Sequence, residues 1–473
     1  MRELHRKESP LNSFLGMGGG ASRFIMGMHS GIDYWIAEYG STTLLEERGR
    51  KVKVDSSGNV YMGGYSNTYD SSNGNKVHTG FIVKYDKTGA IQWQRTLSKP
   101  GITTGGVYLF DISIDSSGNV YVCGTDESRR NFVAKYNNSG VIQWQRTLQG
   151  YFFGEEALGV GTDSSNNVYI GGMTRNGNQR TPFVAKYNSS GTIQWQKRFG
   201  NNFRHQLYGA TVDSSGNVYI VGDGGTRTDG TSFDGIFFAK INSSGTVQWE
   251  QTLGGDTSTN NTEAGQNIIL DSSGNVYIVG RAYLGTYASW RLLVAKYNSS
   301  GTIQWQRTLD STSFAEFGYD VAVDPSGNVY ICGTKDTNVT GNPRAHDVII
   351  AKYNSSGTLQ WQRTLNNSQY NKIEEGYGIT VDDKGTVYVT GSTETGGTNT
   401  DPKSIAFIAK LPSDGSLTGT YGRFTYAASS FTSATSTYAT ASRTLSSASL
   451  SLTAAAGAMT DSAGSASSST ITL

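Results

Sequence analysis

Hydrophobic and polar positions alternate in short runs over most of the chain, and glycine, asparagine, serine or aspartate separates the runs. Between Asp320 and Leu365 four such runs follow one another: DVAVD, NVYICG, DVIIAKYN and TLQWQRTL. Each run is rich in β-branched and aromatic residues and is bounded by turn-forming residues, which is typical of a short strand. The pattern therefore predicts four strands in this stretch.

The same arrangement recurs along the chain, and its clearest marker is the motif D-x-x-x-x-V-Y. Successive copies lie 48 to 60 residues apart, which leaves room for about four short strands and their turns. The sequences DSSGN and YNSSGT are typical of hairpin turns, because Asp or Asn caps the turn amides and glycine accepts a positive φ. Seven copies are present, and they begin at Asp55, Asp115, Asp163, Asp213, Asp271, Asp324 and Asp382. The sequence thus predicts an all-β fold, a seven-bladed β-propeller with four strands per blade.

The last strand of each repeat contains a tryptophan, and this strand has one copy fewer than the aspartate motif. In the seventh repeat Gly419 stands where tryptophan is expected, whereas the N-terminal stretch DYWIAEYG has Trp35 and Gly40 at the repeat's own spacing. We expect Asp33–Gly40 to be the missing strand, closing the last blade and covering two strand edges. The other Trp and Arg side chains of these strands are interpreted as core packing between blades; the tryptophans are Trp93, Trp144, Trp195, Trp249, Trp305 and Trp361.

These motifs resemble a known family. The recurring sequence DSSGNVYV followed by FVAKYNSSGTIQWQRTL is similar to that of the bacterial and phage seven-bladed propellers built from SBBP repeats. The resemblance covers about Gly31 to Tyr421. It implies the fold and leaves the activity open, since propellers carry many unrelated functions.

Both ends of the chain differ from the repeats. Residues 1–30 are glycine-rich with scattered apolar residues and are interpreted as an anchor segment; residues 31–421 form the propeller, and residues 422–473 a low-complexity tail. The tail has large residues seven apart, which a strand would place on alternate faces but a coiled-coil helix keeps on one seam. The tail is therefore predicted to be a helical, self-associating stalk with the seam Phe424, Phe431, Tyr438, Leu445, Leu452 and Met459.

Charge and composition exclude several function classes. Lys and Arg total 39 against 38 Asp and Glu, a net charge of +1, so no field draws the chain to nucleic acid. No apolar run approaches the roughly 20 residues of a membrane span, and neither a signal peptide nor membrane insertion is predicted.

Chemistry-bearing motifs are scarce. The five histidines have no metal-ligand spacing, and each DSSGN turn offers one carboxylate where calcium takes six or more oxygens, so turn capping is the interpretation. Cys123 and Cys332 occupy the same place in two repeats and are predicted to be buried hydrophobes. We predict no catalytic residue, no metal and no cofactor, and therefore no enzyme.

Loops of differing length all fall on one face of the predicted propeller, because the two short turns of every repeat share the opposite face. Variable loops on a rigid frame are where binding usually resides, and aromatic faces with neighbouring donors suit sugars. The candidate ligand-binding residues on this variable-loop face are Tyr65, Tyr69, Tyr151, Phe152, Phe203, Arg204, Tyr283, Tyr287, Trp290 and Arg291.

A propeller between an anchor and a heptad tail resembles fibre or appendage proteins of marine phage virions in its architecture. That resemblance implies a virion structural protein, located in the virion, that displays the propeller to a host-surface glycan or to other virion proteins, and that forms a homo-oligomer through its tail. Two alternatives stay open. One is a secreted, extracellular or cell-surface bacterial propeller that binds polysaccharide, and the other is a propeller glycosidase or polysaccharide lyase.

Overall fold

The computed structural model describes part of the 473-residue chain: residues 21–22, 24–26, 34–40, 46–69, 74–98, 105–126, 130–149, 156–176, 179–199, 206–224, 235–254, 263–283, 290–310, 316–336, 345–367, 373–398, 401–421, 423–429, 432–435, 440–443, 447–449, 453–456, 460–463, 467–468 and 471–472. Every regular element in these ranges is a strand. None of them contains a helix long and apolar enough to cross a membrane.

The strands fall into three groups along the chain. Three precede the repeats: β1 (Ala21–Ser22), β2 (Phe24–Met26) and β3 (Trp35–Tyr39). The repeats supply β4 (Glu46–Val54), β5 (Val60–Tyr69), β6 (Lys76–Tyr85), β7 (Ile91–Ser98), β8 (Gly105–Gly106), β9 (Tyr108–Ile114), β10 (Val120–Thr125), β11 (Asn131–Tyr136), β12 (Ile142–Gln149), β13 (Glu156–Thr162), β14 (Val168–Asn176), β15 (Gln179–Tyr187), β16 (Ile193–Phe199), β17 (Gln206–Val212), β18 (Val218–Asp223), β19 (Ile236–Ile241), β20 (Val247–Leu253), β21 (Ala264–Leu270), β22 (Val276–Tyr283), β23 (Trp290–Tyr297), β24 (Ile303–Asp310), β25 (Glu316–Val323), β26 (Val329–Asp336), β27 (His346–Tyr353), β28 (Leu359–Asn367), β29 (Glu374–Val381), β30 (Val387–Thr398) and β31 (Asp401–Leu411). The tail supplies β32 (Gly419–Tyr421), β33 (Phe424–Ala428), β34 (Thr432–Thr435), β35 (Thr440–Arg443), β36 (Ser447–Ser449), β37 (Thr453–Ala456), β38 (Thr460–Ala463), β39 (Ser467–Ser468) and β40 (Ile471–Thr472).

The repeats form a propeller, but not one of seven separate blades. Five blades of four antiparallel strands are sheets of their own: β9–β12, β13–β16, β17–β20, β21–β24 and β25–β28. The strands of the first and last repeats lie in one 12-stranded sheet, in which β31 pairs in parallel with β4 at Ser404 and Glu46. The prediction of a seven-bladed propeller is therefore wrong: five blades are separate sheets, and the edge that would divide the first repeat from the last is used to join them.

The N-terminal strand completes the sheet of the last repeat. β3 pairs antiparallel with β31, which places Tyr39 opposite Ala406. In the first repeat β7 pairs in the same way with β6, so β3 has the position of a Trp strand. Trp35 is fully buried. The expected pairing of this segment with the last repeat is found.

The core lies between adjoining repeats rather than within one of them. One cluster joins Tyr121 and Cys123 of the second repeat to Val168 and Ile170 of the third, and similar clusters follow around the propeller. Cys123 and Cys332 are both buried and unpaired, as predicted for small hydrophobes in equivalent places.

The described residues of the tail form strands, and the predicted helix is wrong. Each of its strands from β33 to β38 pairs antiparallel with the Trp strand of one repeat, in reverse chain order: β28, β24, β20, β16, β12 and β7. Residues seven apart take equivalent places, so that Ala427 lies opposite Thr364, Ala434 opposite Thr308 and Ala441 opposite Thr252. A step of seven residues therefore carries the tail from one repeat to the next, which explains the heptad spacing without a helix.

Each repeat's aspartate caps its turn and anchors the next strand. In the fifth repeat the amides of Ser273 and Asn275 donate to one oxygen of Asp271, and the Asn275 side chain and the Tyr277 hydroxyl donate to the other, at 2.8–2.9 Å. The same contacts recur in other repeats, for example at Asp115, and the seventh repeat keeps the two amide bonds and the Tyr388 bond to Asp382, with Thr386 in place of the asparagine. Turn capping, predicted in place of calcium binding, is confirmed by these bonds.

The Trp strand of a repeat is hydrogen-bonded to the neighbouring repeat. Trp144 Nε1 donates to the carbonyl of Ser189 at 3.1 Å, and Arg146 Nε donates to the carbonyl of Gly191 at 2.8 Å. Gly191 has a φ of +77°, and a Cβ there would lie 2.7 Å from the Trp144 ring, so the contact requires glycine. The predicted role of these strands in packing between repeats is confirmed.

Candidate functional site at the channel mouth

The first strands of the repeats surround the axis of the propeller. β4, β9, β13, β17, β21, β25 and β29 each contact the next, and β29 contacts β4. The innermost strands of a propeller line its central channel. Side chains on these seven strands are therefore the ones that a ligand in the channel meets.

Every one of these strands carries a β-bulge at the same place. In β4, for example, Gly49 pairs with Gly64 and Lys51 pairs with Gly63, which leaves Arg50 without an opposite residue. The same shift recurs in the other six strands. We call the unpaired residues the bulge set: Arg50, Phe110, Leu158, Tyr208, Gln266, Tyr319 and Tyr377. Bulges redirect side chains and often lie beside functional sites.

Four members of the bulge set pack against one another across repeat boundaries. The Arg50 guanidinium carbon lies 4.5 Å from the centre of the Tyr377 ring and 5.9 Å from that of Phe110. The Tyr319 and Tyr377 rings are 5.4 Å apart. The guanidinium of Arg50 is thus held by aromatic faces, and within the described ranges it makes no hydrogen bond or ion pair.

Arg48 has a different role, because its donors are used within the protein. Its Nη1 donates to the Tyr377 hydroxyl at 2.5 Å and lies 3.5 Å from Glu375. Its Nε is paired with Glu46, and the Tyr377 hydroxyl donates to Glu375. These contacts join the first repeat to the last and fix the position of Tyr377.

Arg281 is held in the same way as Arg50. Its guanidinium carbon lies 4.6 Å from the Trp290 ring centre and 5.7 Å from that of Phe317, and its buried Nε has no hydrogen-bond partner in the described part of the chain. Burial and the charge of Glu375 raise the pKa of Tyr319 to about 12, while Arg50, Arg281 and Arg48 act in the opposite direction. Arg50 and Arg281 therefore lie near the same tyrosine.

A buried carboxyl lies further round the mouth. The Tyr208 hydroxyl donates to Asp223 Oδ2 at 3.1 Å, whereas Oδ1 is buried and makes no hydrogen bond to any described residue. Burial raises the pKa of Asp223 to about 6, although the bond from Tyr208 and the charge of Arg281 oppose the rise. Asp223 is therefore a carboxyl with a raised pKa beside a phenol and a guanidinium.

A polar layer closes the channel one position beyond the bulge set. Lys51 Nζ lies 2.9 Å from Asp320 Oδ1, and Asn267 donates to the same oxygen. The amides of Ile379 and Val160 donate to Asp320 and Asp111, each at 2.9 Å. Burial opposes the charge on Lys51, but Asp320 and Asp111 outweigh it and raise the pKa of Lys51. We call this layer the channel floor. The candidate site is the part of the channel at the bulge set, on one side of this floor.

Beyond the floor the channel contains two cavities of about 160 and 230 Å³. Both are lined by Lys53, Thr211 and Val212.

No group of three or more His, Cys, Asp or Glu side chains in the described ranges is arranged to hold a metal ion.

The residues selected from the sequence are partly distributed around this mouth. Tyr65 packs against Tyr108, with ring centres 5.1 Å apart, Tyr69 is 46% exposed, and Trp290 covers Arg281. Arg291 lies beside Trp290 in β23, and Tyr283 ends β22. Their part in binding stays a prediction. The others lie outside the described residues: Tyr151, Phe152, Phe203, Arg204 and Tyr287, and from the tail seam Phe431, Tyr438, Leu445, Leu452 and Met459.

Phe424 of the predicted seam is described, and its surroundings differ from the prediction. It is fully buried against Phe407, with ring centres 5.5 Å apart. Phe424 therefore packs on its own propeller at the start of the tail.

The bulge set was missed from the sequence, although a signal for it exists. Its members stand five residues before the repeated aspartates, as Arg50 does before Asp55 and Tyr377 before Asp382. That column changes from repeat to repeat, whereas the position two residues later is apolar in every repeat: Val52, Ile112, Val160, Ala210, Ile268, Val321 and Ile379. The regular alternation of a strand does not predict which face this position is on, because the bulge shifts the alternation by one residue.

Comparison with known proteins supports the fold. Residues 41–283, just over half of the chain, match the PQQ_2 family model, described as outer membrane protein assembly factor BamB. This confirms the prediction of a propeller family at that level, and the assignment to SBBP repeats stays a prediction. No curated protein matches the sequence.

Several solved structures are similar to the chain at low identity. The polysaccharide lyase Uly1 is 11% identical, with 84% of this chain and 98% of that chain covered and a TM-score of 0.42. Drosophila Semaphorin 1a, domains 1–2, is 10% identical, with 82% and 89% covered and a TM-score of 0.44. Synechocystis apocarotenoid oxygenase is 8% identical, with 84% and 96% covered and a TM-score of 0.41. Likenesses at this level carry no information on activity.

Proposed function

We propose that this chain, which belongs to the PQQ_2 family described as outer membrane protein assembly factor BamB, binds glycans at the mouth of its propeller channel. The bulge set is the observation that carries the proposal. One residue of each repeat is left unpaired by a bulge in its channel-lining strand, and four of the seven are aromatic.

Aromatic rings and hydrogen-bonding groups at one mouth suit a sugar. Sugar rings pack on aromatic faces, and their hydroxyls need donors and acceptors nearby. Tyr319 and Phe110 offer partly exposed rings, and Asp223 has a carboxylate oxygen without a hydrogen bond among the described residues. The closed floor at Lys51 and Asp320 limits such a ligand to the mouth.

We propose further that the propeller is displayed on a phage virion, where it contacts host-surface glycans or other virion proteins. This setting is supported by the resemblance of the chain's architecture to phage appendage proteins and not by a stalk, since the described strands of the tail pair with the propeller. A density gradient of the source lysate tests it. Co-banding with intact particles is expected, and recovery only in the soluble fraction would favour the secreted polysaccharide-binding propeller.

Binding itself is tested by affinity electrophoresis of the purified full chain in gels that contain host-surface polysaccharide. We expect retardation by at least one polysaccharide, and a substantial loss of it in Tyr319→Ala, which removes a partly exposed ring from the mouth. Val141→Ala is the control, because Val141 is an exposed side chain in the short turn between β11 and β12, on the face opposite the variable loops. Equal retardation of the wild type and Tyr319→Ala would refute binding at the mouth.

A polysaccharide lyase or glycosidase is the second candidate, and one observation favours it. Asp223, with a pKa of about 6, is hydrogen-bonded to Tyr208, and carboxyls with raised pKa values cluster at catalytic sites. The test is release of reducing ends from the polysaccharide that binds. Turnover that Asp223→Asn abolishes would establish the enzyme and replace the binding-only proposal.

A further inference from the structure

We propose that the ligand of the channel mouth is an acidic polysaccharide, whose carboxylate or sulfate groups are bound by Arg50 and Arg281. The inference rests on the proposed function, since it names the class of glycan taken at the same site. It starts from the arginines at the mouth, which are used in different ways.

Arg48 shows how an arginine of this mouth is used when its role is structural. Its charge is balanced by Glu46 and Glu375, and Tyr377 accepts a further hydrogen bond from it. Neighbouring charges outweigh the cost of burial and raise its pKa further. An arginine with its donors engaged in this way has little capacity left for a ligand.

Arg50 and Arg281 are positioned but not neutralised. Each lies against two aromatic rings, at 4.5 and 5.9 Å for Arg50 and at 4.6 and 5.7 Å for Arg281. Neither makes a hydrogen bond or an ion pair within the described ranges, and Arg281 Nε is buried in that state. Stacking fixes the plane of a guanidinium and leaves its edge N–H groups free to donate.

An anionic oxygen pair is the ligand group that fits such donors. Guanidinium groups bind carboxylate and sulfate-like oxygens through two parallel N–H···O bonds. A neutral sugar hydroxyl satisfies these donors less well and leaves the charge unpaired in a partly dry site. Both guanidinium groups lie close enough to Tyr319 to lower its pKa, so one polymer bound at this tyrosine brings its charged groups near both.

The surrounding charges support the same conclusion. Arg180 and Arg281 both act on Asp223, and Arg48 is already paired with Glu46 and Glu375. Glu46 and Glu375 are thus paired with Arg48, whereas neither Arg50 nor Arg281 forms an ion pair with a carboxylate in the described part of the chain. An anionic ligand supplies the missing charge.

The experiment measures affinity of the full chain for three soluble polymers. Polygalacturonate carries carboxylates, dextran sulfate carries sulfate esters, and dextran is neutral. We expect binding to one or both acidic polymers that weakens as salt rises, with at least tenfold weaker binding in Arg50→Gln and in Arg281→Gln. Polygalacturonate alone indicates carboxylate recognition, and dextran sulfate alone indicates sulfate recognition.

Two further variants separate charge from geometry and from folding. Lys53→Gln removes a cation from the same channel beyond its closed floor, and its affinity should not change. Arg50→Lys keeps the charge but not the two parallel donors, and should bind with intermediate affinity while melting as the wild type does. An equal loss in Lys53→Gln would show a general effect of charge and overturn the assignment.

The outcome also separates this inference from the proposed function. If dextran or a neutral host polysaccharide binds and Tyr319→Ala weakens it while the arginine variants do not, glycan binding stands and the acidic ligand is refuted. If no polysaccharide of either kind binds, both are refuted.

Discussion

Trp35 Nε1 donates a hydrogen bond to the backbone carbonyl of Lys87 at 3.3 Å, across 52 residues of sequence. The same bond is made by Trp361 to Ser413 at 3.0 Å and by Trp93 to Asn138 at 2.9 Å. The N-terminal strand therefore makes the contact between adjoining repeats that every other Trp strand makes. The hydrogen bond from Trp35 to Lys87 therefore links the sheet of the last repeat to the first repeat.

This contact predicts that the N-terminal strand determines the stability of the closed propeller. Trp35→Ala should destabilise the protein by about 3–5 kcal/mol, because it empties a fully buried site. Thermal unfolding followed by circular dichroism measures the change. Tyr69→Ala, at a position 46% exposed, should melt within a degree or so of the wild type. An unchanged melting temperature for Trp35→Ala would refute closure by this strand.

Removal of the tail should expose six strand edges. A chain that ends at Tyr421 lacks β33 to β38, which pair with the Trp strands of six repeats. Unpaired edges promote association, so the truncated protein should aggregate more readily than the full chain. Hydrogen exchange should show lost protection in these Trp strands, and unchanged protection would contradict the pairing.

A single proline tests one of these pairings by itself. Ala434→Pro removes an N–H from β34, whose partner is β24. Protection of β24 should fall, whereas β20, which pairs with β35, should exchange as before. A uniform change in both strands would indicate that the tail acts globally and not strand by strand.

The buried carboxyl of Glu374 should make stability depend on pH. Burial raises its pKa to about 8, from an ordinary value of 4.5. The folded protein therefore holds a proton there that the unfolded chain releases, so this contribution is complete below pH 4.5 and is lost as pH rises to about 8. The slope is at most roughly 1.4 kcal/mol per pH unit. Glu374→Gln should flatten this part of the stability curve, measured by urea unfolding, and Glu156→Gln should not.

The channel floor should be sensitive to removal of its cation. Lys51→Met leaves Asp320, with a side chain 4% exposed, without its ion-pair partner. The expected cost is about 3–5 kcal/mol, because an uncompensated buried charge remains. The double variant Lys51→Met, Asp320→Asn should recover part of this loss. If the double variant is less stable than Lys51→Met in urea unfolding, charge balance is not the reason for the pairing.

Much of the fold could be predicted from residues that repeat. The spacing of Asp271, Asn275 and Tyr277 within one repeat predicts the turn, because all three interact within seven residues. Trp35 could be recognised as a displaced copy because its pattern survives the change of position. The count of separate blades could not be obtained in this way, since the pairing of Ser404 with Glu46 merges two repeats.

The tail shows why periodicity alone was insufficient. Its heptads predict a helix because an unbroken strand would turn successive large residues to opposite faces. The structure breaks the tail into short strands, each set by the repeat beside it, so the period measures the distance between repeats. Only the partner strand reveals that distance.

By itself, the sequence determined the repeat, its capped turns, its strand order and the closing strand, because each depends on contacts that are local or identical from copy to copy. The tertiary structure alone decided the course of the tail, the merging of the first and last repeats, and the gathering of Arg50, Tyr319 and Arg281 at one mouth. Those features depend on contacts between residues far apart in sequence and on a bulge that changes which side chain faces the channel. Neither leaves a period that can be read along the chain.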